Sequence, residues 1–179
     1  SEHPYWWHEH NHQVVYYAPD ELLAIIESDD TDPTLPFDIL LIINPNNPTT
    51  SLFTKQQLTP LLHTIENANK HLIIDEAFLD TQPSLSMVTN DDFSHLTVLR
   101  SLGKFFGLAG IRCGFLFAHP SLLQSAQQRL GPWQVSTPSR WIATQALKDY
   151  EWQEKSRLSL NANSQRLYQL LKKTLIAFN

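Results

Sequence analysis

Apolar residues along the chain fall into two patterns. Short, nearly unbroken apolar runs occur at 37–43 (FDILLII), 71–74 (HLII), 96–100 (LTVLR) and 113–118 (CGFLFA). Runs without alternation are what strands buried on both faces of a parallel sheet require. Between and after them, apolar residues recur at helical spacing, through 55–69, 120–130 and most of 139–178. The β-branched and aromatic run 13–17 (QVVYY) predicts a further strand, and 4–11 a short helix. Pro19-Asp20 opens a helix to residue 26, with Leu22, Leu23, Ile25 and Ile26 as its apolar face. Thr54, with Gln57 three residues later, offers a capping box for the helix over 55–69; Thr59-Pro60 is the competing start. Residues 28–36 (SDDTDPTLP) and 44–50 (NPNNPTT) read as loops. Strands that alternate with helices at βαβ spacing predict an α/β fold with a largely parallel sheet.

Composition narrows the function classes. Of 179 residues, 42% are hydrophobic, enough for a packed core. Charged residues make up 17%, below the usual share of about a quarter. Such a surface is expected to be covered in part by a partner chain or by further sequence. The net charge of -5, without a basic block, argues against a nucleic-acid binder. The single cysteine excludes an internal disulfide framework and fits a reducing, cytoplasmic setting. The longest apolar region, 96–118, is broken by Arg100, Lys104 and Arg112, so no membrane span is expected. The chain begins in dense sequence without Met and ends inside an apolar helical pattern. It is therefore read as a piece of something longer.

In parallel sheets the working groups sit at the carboxyl ends of strands. Asn47 follows the run 37–43, Asp75 closes the run 71–74, and Ser101 and Lys104 follow the run 96–100, with Arg112 eight residues further. A carboxylate at the tip of a buried strand is costly unless it meets a cation or a donor. A lysine in a glycine-rich loop beside an arginine has its amine pushed toward the neutral, nucleophilic form. A hydroxyl and a guanidinium suit a phosphate. Together these are the requirements of pyridoxal phosphate: an amine for the aldehyde, a carboxylate for the ring nitrogen, an amide for the phenolate oxygen and donors for the phosphate.

NPNNPT, DEAF and SLGKFFGLAGIRCG, in that order, resemble the fold-type I pyridoxal phosphate enzymes of the class I/II aminotransferase group. The resemblance covers nearly the whole chain. It implies Lys104 as the Schiff-base lysine, Asp75 as partner of the pyridine nitrogen and Asn47 as donor to the phenolate oxygen. It also implies Ser101 and Arg112 as phosphate ligands. Residues 1–150 would form the central part of the large cofactor-binding domain, truncated at both ends. Residues 151–179 would lead toward a small C-terminal domain. RSLGKFFGLAGIRCGF, with GPWQVS after it, is similar to the threonine-phosphate decarboxylases of cobalamin biosynthesis, and so is the opening Ser1-Glu2-His3. Histidinol-phosphate aminotransferases are the next neighbours. The resemblance implies a small phosphorylated amino acid or amine as substrate, a homodimer, and no nucleic-acid or membrane partner. Some transcription regulators carry a related pyridoxal phosphate-sensing domain, a third reading. The 179 residues alone are expected to bind cofactor weakly and to show no activity.

Two departures stand out. Phe78 replaces the tyrosine that most aminotransferases of the group carry as a second donor to the phenolate oxygen. Thr50 stands where the family usually has glycine, so a site that needs φ > 0 would strain it. Each residue also has a plainer reading: a helix cap for Asp75, turn chemistry for Asn47, a loop lysine for Lys104, an arginine paired with an acid in the sheet for Arg112. His8, His10 and His12 (HEHNH) have metal-like spacing but read better as an exposed polar stretch. Cys113, Trp133 and Trp141 read as packing residues.

Overall fold

The computed structural model describes residues 3–18, 20–22, 24, 35–89 and 92–176. The chain divides into two compact units: Ser1–Ser101 with Gly114–Pro132, and Leu102–Cys113 with Trp133–Asn179. In the first unit, α1 (His3–Glu9) precedes β1 (Ile39–Ile43), α2 (Lys55–Asn67), β2 (His71–Asp75), β3 (Leu96–Ser101), β4 (Gly114–Phe117) and α3 (Pro120–Leu130). The second unit holds the loop 102–113, α4 (Thr137–Lys148) and α5 (Tyr150–Ile176).

The strands form one sheet in the order β1-β2-β3-β4. The β1–β2 and β2–β3 pairs are parallel and β3–β4 is antiparallel. The sheet is thus mixed, and Asn47, Asp75 and Ser101 follow or close its parallel strands. Register lines up Leu40, Leu72 and Leu96 in one row, and Ile42, Ile74, Val98 and Phe117 in the next. Because side chains alternate across a strand, both rows face one side. Against that side α2 lays Leu58, Leu61, Leu62 and Ile65, the i, i+3, i+4, i+7 stripe, all 0–4% exposed. Burial of these aliphatic side chains, each contributing roughly 1.5–3 kcal/mol, holds the unit together.

The cap over α2 resolves to Thr54, whose backbone N–H (2.9 Å) and hydroxyl (3.0 Å) donate to Gln57 Oε1, and Pro60 lies inside the helix. At Gly131 the chain leaves α3 with φ +74°, a conformation that a Cβ would disfavour, and its N–H donates to Gln127 O at 3.0 Å.

Four expectations need correction. Trp133 and Trp141, read as packing residues, are 89% and 66% exposed. Residues 13–17 form no strand; Val15 and Tyr16 are 58% and 74% exposed, and β-propensity without a neighbouring strand to pair with makes no ladder. The run 37–43 is not buried on both faces, since Leu40 and Ile42 are buried while Ile39 is exposed and Leu41 and Ile43 are half-buried. Cys113 is half-buried and lies just before β4 rather than within a buried strand. Of the helix expected over 20–26, residues 20–22 and 24 are helical, and the remainder lies outside the described residues, as do 28–34.

Candidate active site

In the first unit, three predicted residues follow or close adjacent parallel strands. Asn47 is exposed in the loop after β1; Asp75 is the last residue of β2 and Ser101 the last of β3, both half-buried. The base of the Asn47 loop is clamped by fully buried Asn44, whose Nδ2 donates to Phe53 O (2.9 Å) and whose Oδ1 accepts from Phe53 N–H (2.8 Å). That exchange gives each polar atom of the buried amide a partner, as burial demands. Within the loop, Thr50 N–H donates to Asn46 O at 2.8 Å, and Thr50 has φ +61°. The site does require a left-handed residue, and threonine occupies it with strain.

Asp75 is oriented from two sides. Its Oδ1 accepts from Ala77 N–H at 2.9 Å, and its Oδ2 lies 2.8 Å from His3 Nε2. A carboxylate only accepts, so Nε2 carries the proton in that bond. The side chains of Asp75 and His3 are 19% and 27% exposed. His3, at the start of α1, is brought to β2 from 72 positions away in sequence.

On the opposite face of the same strand ends lies a closed ionic cluster. Glu76 is fully buried. Its Oε1 accepts from Met87 N–H (2.7 Å); its Oε2 accepts from Ser86 Oγ (2.5 Å) and from an Arg100 guanidinium N–H (3.1 Å). Arg100 also donates to Asp80 and, at 3.1 Å, to Ser86 Oγ. The arginine paired with acids in the sheet is therefore Arg100. Its signal in the sequence is a charge inside an apolar strand, which demands a partner.

The second unit carries Lys104 and Arg112, both exposed, in the loop 102–113. The loop ends meet through Leu102 N–H donating to Cys113 O at 3.4 Å, and Leu102 is buried. Gly107 N–H donates to Lys104 O at 3.0 Å, with Gly107 at φ +67°. Arg112 closes a short turn at Ala109–Ile111 with φ +49°. Phe105 and Phe106, next to the lysine, pack on Trp152 of α5. Sequence reading missed His3, the Arg100 cluster, the Asn44 clamp and Trp152; only Arg100 had a local signal, because the others depend on partners distant in sequence.

In the HEHNH stretch, His10 Nδ1 lies 2.9 Å from Trp6 O and the His12 ring packs edge-on against Trp7. Among the described residues no three His, Cys, Asp or Glu side chains group to hold a metal ion. None of the described helices is long and apolar enough to cross a membrane.

The donor set comprises an amide, a carboxylate, a hydroxyl, an amine and a guanidinium. It fits pyridoxal phosphate chemically: cations and a hydroxyl for an anionic phosphate, an amine for an aldehyde, an accessible carboxylate for a cationic ring. Comparison with known proteins agrees. A threonine-phosphate decarboxylase from Pseudomonas aeruginosa is 38% identical over 173 residues, 97% of this chain and 50% of that protein. A histidinol-phosphate aminotransferase from Pectobacterium carotovorum is 41% identical over 110 residues, 61% of this chain and 30% of that protein. The crystal structure of the histidinol-phosphate aminotransferase from Clostridium acetobutylicum superposes with a TM-score of 0.83 at 27% identity, over 97% of this chain and 53% of that one. The chain spans half the length, or less, of these two curated relatives. The family model for aminotransferase class I and II matches residues 12–179, and the chain belongs to that family.

Proposed function

We propose that this chain is the central part of the cofactor-binding domain of a pyridoxal phosphate-dependent enzyme that decarboxylates threonine phosphate to aminopropanol phosphate. The observation that carries this reading is the 38% identity to a threonine-phosphate decarboxylase across 97% of the chain. Asp75, at the carboxyl end of a parallel strand and held by His3 and Ala77 N–H, supports it. Residues 1–150 belong to that large domain in this reading, and 151–179 lead toward a small domain.

When bound, pyridoxal phosphate supplies an electron sink for the pair released as a bond at the substrate Cα breaks. The residues do the rest. Asp75 would accept from the protonated ring nitrogen, and His3 Nε2, 2.8 Å from Asp75 Oδ2, orients that carboxylate. Lys104 is the residue whose amine would hold the aldehyde and could carry a proton to the substrate Cα. Arg112 and Ser101 donate to the phosphate. Asn47 donates to the phenolate oxygen, and Phe78 adds no second donor there. In this reading the enzyme is a homodimer. The exposed apolar side chains of α4 and α5, Trp141 at 66% and Leu158 at 70% among them, support a covering surface.

The second reading is a histidinol-phosphate-type aminotransferase, favoured by the 41% identical relative and the 0.83 superposition. The test is incubation of the full-length protein with threonine phosphate and pyridoxal phosphate. Release of carbon dioxide without any keto acid is expected. Amino transfer that requires an added keto acid, without carbon dioxide, would replace the first reading by the second.

A further inference from the structure

We infer that Trp152 is a positioning residue for Lys104, an inference that rests on the assignment of Lys104 proposed above. Lys104 is exposed, and its loop belongs to no α-helix or strand, so a regular backbone does not direct its amine. A lysine side chain is long, and the placement of its root decides where the amine reaches. Misplacement by about 1 Å costs on the order of a hundredfold in a positioned reaction.

Within the second unit two restraints fix that root. The first is the turn itself: Gly107 N–H donates to Lys104 O (3.0 Å), and Leu108 N–H donates to the carbonyl of buried Leu102 (3.0 Å). The second is aromatic and begins at the next residue. Phe105 and Phe106 meet edge to face with ring centroids 5.1 Å apart, and Trp152 receives both. Phe106 stacks on the indole at 5.9 Å and 25°; Phe105 meets it at 5.4 Å and 63°. The Arg157 guanidinium lies 5.4 Å from the Phe105 centroid and adds a cation–π contact. The indole is seated in turn. Its backbone N–H donates to Asp149 Oδ1 at 3.0 Å, capping the first turn of α5. The next residue, buried Gln153, donates to the carbonyls of Ala146 (3.0 Å) and Leu147 (3.1 Å), locking the start of α5 to the end of α4. Lys104 therefore sits between a backbone turn and two rings bolted to a helix. Trp152 stacks on or meets both rings from outside the loop.

The test uses full-length apoprotein and pyridoxal phosphate. The Lys104 amine and the aldehyde join with loss of water; added borohydride donates hydride to the resulting C=N bond and leaves a secondary amine. Mass spectrometry locates that adduct, and the concentration giving half-maximal trapping is read. Trp152→Ala is expected to raise it about tenfold, the loss of two aromatic pairs. Trp152→Phe should restore most of it, and Leu130→Ala, at an exposed position of α3, should leave it unchanged. The thermal midpoint of each apoprotein is measured alongside. A lowered midpoint in Trp152→Ala with unchanged trapping, well below that midpoint, marks a merely structural role and overturns the inference. If Trp152→Ala does not fold, Phe106→Leu carries the test: weaker trapping is expected and unchanged trapping overturns the inference. Wild-type protein that forms no adduct at Lys104 would instead overturn the function proposed above.

Discussion

Neighbouring carboxylates leave β2 on opposite faces of the sheet: Asp75 keeps 19% of its side chain exposed and leans on an imidazole, while Glu76 is fully buried against a guanidinium, a hydroxyl and a backbone N–H. Alternation along the strand enforces the split, and the partners on β3 repeat it, with Arg100 on the closed face and Ser101 on the other. The closed face holds a charge fixed among permanent partners. The open face holds a carboxylate that leans on the His3 ring and that solvent still reaches. Burial and the kind of partner thus separate a carboxylate that maintains the fold from one available for chemistry, although both stand in the same DE dipeptide.

The strongest way to break this contrast is to open the closed face. Arg100→Met leaves Glu76 and Asp80 buried without their cation, and the expected loss is about 3–5 kcal/mol of folding stability. Denaturant unfolding of the variant measures it. A loss under about 1 kcal/mol would mean that the cluster is no more structural than a surface pair.

On the open face the same operation should separate stability from activity. Asp75→Asn is expected to change folding stability by about 1 kcal/mol or less, because its partners remain accessible to water. If the proposed decarboxylation holds, its rate in the full-length protein should fall by about a hundredfold or more, the share of a positioned proton holder. Unfolding and turnover of the same sample give both numbers. A stability loss equal to that of Arg100→Met would erase the distinction between the two faces.

Strain sharpens the contrast further. Among the described residues, four non-glycine residues have positive φ: Asn11, Thr50, Asn69 and Arg112. Asparagine tolerates that region; threonine and arginine do not, and these two sit in the loops that carry Asn47 and follow Ser101. Thr50→Gly should stabilise the protein by about 1 kcal/mol, the relieved left-handed penalty less glycine's entropy in the unfolded chain. A rise in thermal midpoint is the readout, and a fall would show that the threonine side chain contributes more than its backbone costs.

Much of the contrast was legible in the residue pattern, and the reasons differ by element. Local signals found β1, β2, β3, the Thr54 cap and the strand-end residues, because an apolar run and its terminating polar residue are contiguous. Thr50 was legible too, since a glycine position filled by threonine signals its own strain. The run 13–17 misled because pairing depends on a neighbouring strand. His3, Asn44 and Trp152 were illegible for the same physical reason: each acts through a partner 72, 9 or 46–47 residues away in sequence. Spacing along the chain carries no record of such contacts.

The smallest effect lies at the other end of β2, far along the strand from Asp75. His71 is half-buried with Nε2 2.8 Å from Thr97 Oγ1. Burial, and secondarily the nearby His95, hold its imidazole below the usual histidine range. The folded protein therefore prefers His71 neutral, and protonation favours the unfolded chain. As pH falls below about 6.5, the unfolded chain binds the proton first and stability declines until pH passes the depressed folded value. Above about 6.5 the contribution is complete. His71→Gln keeps a polar group facing Thr97 but removes the titration, so the variant's stability should fall less between pH 6.5 and the acid side. Parallel slopes for the two proteins would show that His71 does not sense pH.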